Sequence, residues 1–79
     1  MRKWREADGT HLDVRGLQAP QPMVAILRLL QTMGEGDAVV AHLDRDPQFL
    51  YPELAERGWQ AEHVPGDAGE VRLRLTRAA

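Results

Sequence analysis

Ala38-Val39-Val40-Ala41-His42-Leu43 is an almost unbroken apolar run. A run of this kind suits an interior strand, covered on both faces and paired on both edges. The rest of the chain must therefore supply neighbouring strands and a covering layer. Two stretches have helical spacing and three others alternate in the manner of half-buried strands. With 79 residues and no cysteine, the chain has to close one small core without disulfides. A domain of this size buries only roughly 60% of the surface its unfolded chain exposes.

Before the run, Thr10, Leu12 and Val14 share one parity and His11 and Asp13 the other, which predicts a short strand. Arg15 to Pro22 is rich in helix breakers. Met23, Ile26, Leu27, Leu30 and Met33 then form one apolar stripe, widened by Val24 and Leu29, and predict a helix over 23–33. Pro20 and Pro22 fit its start and Gly34 its stop. After the run, Asp46 is the expected N-cap and Pro47 the first helical residue. The second helix is expected over 48–57, with Phe49, Leu50 and Leu54 facing inward and Pro52 kinking or delaying it. Arg57-Gly58 suits a helix end. Trp59 to Val64 and Val71 to Thr76 then alternate around Pro65-Gly66-Asp67-Ala68-Gly69, as in a hairpin. The expected register pairs Trp59 with Leu75, Ala61 with Leu73 and His63 with Val71 on the covered side.

The resulting order is β-α-β-α-β-β, a two-layer α/β sandwich with a four-stranded mixed sheet and both helices on one face. The strands at 10–14 and 38–43 flank a helix and should be parallel. Residues 1–9 are expected as a flexible tail, with Trp4 docking on the body, and residues 10–77 as the domain. The open sheet face should carry His11, Asp13, Glu62, Arg72 and Arg74.

Twelve acidic residues against ten basic ones give a net charge of −2, which argues against general nucleic-acid binding. No run of eighteen apolar residues exists to span a membrane, and the start lacks the apolar segment of a secretory leader. The expectation is a soluble cytoplasmic domain.

Leu12-Asp13-Val14-Arg15-Gly16-Leu17-Gln18-Ala19-Pro20-Gln21-Pro22 resembles the opening signature of the TusA/SirA-like small sulfur-carrier domains. In words, that signature is Leu-Asp-x-x-Gly-Leu, then Cys-Pro-x-Pro, then an apolar helix. The resemblance covers roughly residues 11 to 77 and implies the same β-α-β-α-β-β fold. The family's persulfide-carrying cysteine falls on Ala19, whose methyl cannot form a thiolate, so sulfur transfer by the family mechanism is excluded. The chain is more similar to an uncharacterised TusA-like branch that lacks the cysteine. In that branch a turn like Asp44-Arg45-Asp46-Pro47-Gln48-Phe49-Leu50-Tyr51 follows the second strand, although Phe49 replaces the usual second proline and Arg45 the common histidine. Glu56-Arg57-Gly58-Trp59 and Val71-Arg72-Leu73-Arg74-Leu75 also fit. Some members of the branch are joined to hemerythrin-like or other redox modules, which implies a neighbourhood in sulfur or redox metabolism.

Three sites follow from the residues. Arg15 and Arg45 both come after strands expected to be parallel neighbours, where open α/β sheets bind ligands, and two arginines grip phosphate or carboxylate well. Gln18, Ala19 and Pro20 form the adjoining helix approach, which also serves as a rigid strand-to-helix connection. His42-x-Asp44-x-Asp46, with His11 on the neighbouring strand, is a candidate metal-ligand set, although turns use Asp for capping as well. The chain has no serine or cysteine, and its threonines occupy no nucleophile setting, so no catalytic residue is assigned. The reading is a non-enzymatic module without cofactor. It binds a protein partner or small anionic ligand through Arg15, Gln18, Ala19, Pro20, His42 and Arg45, as a monomer or weak dimer. The alternative is a ligand- or metal-sensing domain using His11, His42, Asp44 and Asp46.

Overall fold

The computed structural model describes residues 1–78. The elements are β1 (Arg2–Glu6), β2 (Gly9–Asp13), α1 (Gln21–Leu30), β3 (Val39–Leu43), α2 (Leu50–Glu56), β4 (Trp59–Val64) and β5 (Val71–Arg77). The five strands form one sheet in the order β1-β2-β3-β5-β4. β2 and β3 are parallel and the other pairs antiparallel. β3 takes the interior place its apolar run demands, and all five of its residues are buried.

One side of the sheet and both helices share a single core. Leu12, Val39, Ala41, Leu43, Leu73 and Leu75 supply the sheet side, and Ile26, Leu29, Leu30, Leu50 and Leu54 the helix side. Trp59 closes the far end, with Arg77 lying over its ring at 4.7 Å. The expected two-layer α/β sandwich is present, with one strand more than expected.

That strand corrects the reading of residues 1–9 as a flexible tail. Arg2–Glu6 pairs along the whole of Gly9–Asp13, and Glu6 opposite Gly9 leaves Ala7-Asp8 as a two-residue turn. Gly9 has φ +132°, and a Cβ there would strike the Ala38 carbonyl oxygen, so only glycine fits. Trp4 faces His11 across the strand pair and stacks on its ring at 5.2 Å. The charged residues that made the segment look loose suit an edge strand, where charge discourages further pairing.

The helices start and stop by local chemistry. The apolar stripe of α1 runs on to Met33, but the last turn tightens: Thr32 and Met33 N–H groups donate to Leu29 and Leu30 carbonyls, three residues back. α2 starts late, at Leu50. Pro52 then falls at its third position, where a missing N–H leaves no bond unmade. The delay corrects two expectations. Asp46 does not cap the helix and instead accepts from the Tyr51 hydroxyl. Phe49 sits before the helix, not on its inner face, and is 82% exposed. Gly58 ends α2 with φ +76°, as expected of a residue just past a helix end.

The β4–β5 hairpin keeps the predicted faces but shifts register by two residues. Trp59 lies opposite Arg77, Ala61 opposite Leu75 and His63 opposite Leu73. A slip of two preserves which face each side chain takes, so alternation alone cannot fix it. The longer loop that sets the register folds Glu70 inward, with its carboxylate accepting from the Asp67 N–H and from Arg72. His63, expected on the covered face, is exposed on the edge strand β4, with the Tyr51 ring of α2 beside it at 6.3 Å.

Candidate functional site

β2 and β3 end side by side, and the chain leaves each toward a helix. The Val14 N–H donates to the His42 carbonyl at 3.0 Å, and the Gly16 N–H donates to the Asp44 carboxylate at 2.6 Å. These bonds tie the two loops together. Between the loops and the starts of α1 and α2 lies a groove of about 710 Å³. Gln18, Ala19 and Pro20 line it from the α1 approach, and Arg45 and Phe49 from the α2 approach, with buried Val14, Leu43 and Leu50 beneath. The Ala19–Pro20 peptide is cis.

The groove is short of anion donors on its α1 side. The Gln21 N–H is spent on the Gln18 carbonyl at 2.9 Å, and Pro22, the second helical residue, has none. Arg45 supplies the positive charge, and among the described residues it forms no ion pair. Phe49 adds an exposed aromatic ring at the same place.

Arg15 and His42 are not part of this groove. The Arg15 guanidinium is committed to Asp13, with Nε at 3.0 Å and Nη2 at 2.8 Å, and its Nη1 lies 3.3 Å from Glu70. Hydrogen bonding from Arg15 overcomes the effect of burial and holds the Asp13 carboxyl down at about 2. The two arginines are therefore not brought together as an anion grip. His42 points to the opposite face of the sheet, where it joins His11.

There the side chains form a row. Asp8 Oδ1 lies 2.7 Å from His11 Nε2, His11 Nδ1 lies 2.8 Å from His42 Nε2, and His42 Nδ1 lies 3.0 Å from Glu70 Oε2. Trp4 covers both imidazoles, with ring centroids at 5.2 and 5.3 Å. His11 and His42 are each only 4% exposed, so this part of the expected open face is sealed. The Glu70 side chain is 1% exposed. Burial pushes its carboxyl up, but hydrogen bonds from His42, the Asp67 N–H and Arg72 outweigh this and hold it below the usual range.

The expected His42/Asp44/Asp46 set disperses. His42 binds His11 and Glu70, Asp44 takes the Gly16 N–H, and Asp46 accepts from Tyr51 with His63 Nε2 3.3 Å away. Among the described residues, the one group of histidine and carboxylate atoms within reach of a single ion is Glu6, Asp8 and His11. Sequence reasoning passed over Phe49 and Glu70. Pro52 carried the signal for Phe49, since a helix delayed to Leu50 leaves residue 49 outside. Glu70 carried none, because its role depends on the hairpin register.

Residues 11–77 match the family model described as an uncharacterized conserved protein, DUF2249. The chain belongs to the DUF2249 family. A crystal structure of a SirA-like protein from Desulfitobacterium hafniense has the same fold, with a TM-score of 0.74 and 24% identity over 87% of this chain and 97% of that one. A search of curated proteins returned no match. The fold expected from the Leu12–Pro22 signature is thus found, in a DUF2249 chain without cysteine. No helix among the described residues is long and apolar enough to cross a membrane.

Proposed function

We propose that this DUF2249 domain is a non-enzymatic interaction module of the cytoplasm. Its groove between the β2–α1 and β3–α2 loops receives an apolar segment of a protein partner with an acidic group for Arg45. The observation that carries this reading is Phe49, an aromatic side chain left 82% exposed beside a groove with an apolar floor. Exposed apolar surface rimmed by polar groups marks interaction sites, and aromatic and arginine side chains are the usual anchors. The commitment of Arg15 to Asp13 and the scarcity of free N–H groups at the start of α1 favour a protein segment over a bare small anion.

The resemblance to sulfur carriers supports the same location. Ala19 lines the groove where those domains carry cysteine, so this chain keeps the docking edge without a thiol. The test is affinity capture by tagged wild type, Phe49→Ser and Arg45→Glu, each checked for folding by circular dichroism. One partner should be held by wild type and lost by both variants. A partner held equally by all three, or no specific partner after crosslinking, contradicts the reading.

A further inference from the structure

Three contacts make up the row across the open face, and each is of hydrogen-bond length. Asp8 meets His11 at 2.7 Å, His11 meets His42 at 2.8 Å, and His42 meets Glu70 at 3.0 Å. Each contact needs one proton, and neither carboxylate brings one. Hydrogen bonding from His11 holds the Asp8 carboxyl below its ordinary range. Glu70 is held down as well, and already accepts from Arg72 and the Asp67 N–H. Two neutral imidazoles carry only two protons between them. With two, one of the three contacts sets an acceptor against an acceptor beside buried rings, which is costly. With three, every contact is made. The proton of the central bond can sit on either ring, so the extra charge belongs to the pair and not to one residue.

We propose that the His11–His42 pair holds one shared proton beyond those of two neutral rings, and that this proton latches the β1–β2 hairpin onto the sheet. The row runs from the Ala7-Asp8 turn through β2 and β3 to Glu70, just before β5. Its inner end is fixed: both rings and the Glu70 side chain are buried. Asp8 is exposed, so the turn is the part that lets go when the proton leaves. Trp4 ties β1 to the same charge, because its indole lies over both rings and an aromatic face attracts a cation. β1 has no strand neighbour other than β2, so the latch governs how firmly the edge of the sheet is closed.

The charges around the pair favour the proton. Asp8 and Glu70 end the row, Glu6 Oε2 lies 3.8 Å from His11 Nε2, and Asp13 stands opposite His42 across β2 and β3. Arg15 and Arg72 are spent on Asp13 and Glu70, Arg74 stands opposite Glu62, and Arg2 lies over the Trp4 ring at 5.1 Å. A positive charge on the pair is therefore met by a carboxylate at both ends. The folded chain then binds more protons than the unfolded one, so its stability falls as pH rises. The row lies on the face of the sheet away from the groove and does not depend on the partner reading.

Histidine ¹⁵N NMR on the tag-free chain counts the protons. At about pH 7 the His11 and His42 rings together should show three protonated nitrogens and one bare one. Thermal unfolding should give a melting temperature about 5 °C lower at about pH 9 than at about pH 7. Asp8→Asn changes an exposed side chain, and its amide donates to a bare His11 Nε2. The variant thus supplies the third proton itself. Both its rings should be neutral at about pH 7, and most of the fall in melting temperature should disappear. Three results overturn the proposal: two neutral rings in the folded wild type at about pH 7, a wild-type melting temperature that does not fall, or an undiminished fall in Asp8→Asn. The wild-type spectrum decides by itself if the variant does not fold.

Discussion

Individual side chains divide the molecule into a sealed face and an available edge. Asp13 and Glu70 belong to the first. Asp13 titrates at about 2 in the folded chain against 3.8 without its partners, so its contribution to stability is complete above pH 3.8 and is lost as pH falls toward 2. Asp13→Asn should flatten the fall in melting temperature over that interval; an acid profile identical to wild type would contradict the Arg15 assignment. Ala19 belongs to the second. Ala19→Cys should fold normally and give a thiol titrating below ~8.5, because it stands before the start of α1 in the groove that Arg45 lines. A thiol titrating at ~8.5 or above would mean that the carrier-site electrostatics are absent.

Secondary-structure elements were legible where one period dominated a segment. The run at 38–43 had to be interior, and the alternations at 10–14, 59–64 and 71–76 had to be half-buried strands, because no other arrangement hides one parity. β1 was not legible, since Trp4 is its one large apolar side chain and its strand character comes from pairing with β2. Trp4→Ala should therefore destabilise the fold by about 1 kcal/mol or more and speed amide exchange along β1 and β2. Unchanged exchange there would show that Trp4 does not hold the edge strand. Gly9→Ala should cost more than about 1 kcal/mol, since its Cβ would strike the Ala38 carbonyl and its φ is positive. In the core, Leu54→Ala should cost about 2–5 kcal/mol in denaturant unfolding, because Leu54 is fully buried between α2 and the sheet.

At the scale of the whole molecule, the candidate groove was half legible. The loops after two parallel strands pointed to one end of the sheet, and Gln18, Ala19, Pro20 and Arg45 meet there. The assignment of Arg15 and His42 to the same place depended on which way each side chain turns. Asp13 draws Arg15 away, and strand parity sends His42 to the opposite face, where its buried ring joins His11 in the row from Asp8 to Glu70. The molecule so described has apolar surface exposed at one end of β2 and β3 and a polar network closed on the other side of the sheet. The most direct test places a photocrosslinking phenylalanine analogue at residue 49 in cells, and at residue 60 on the outer strand as control. One discrete adduct is expected from position 49, absent from position 60 and abolished by Arg45→Glu. An adduct from position 60 alone, or the same adducts from both positions, would contradict the groove reading.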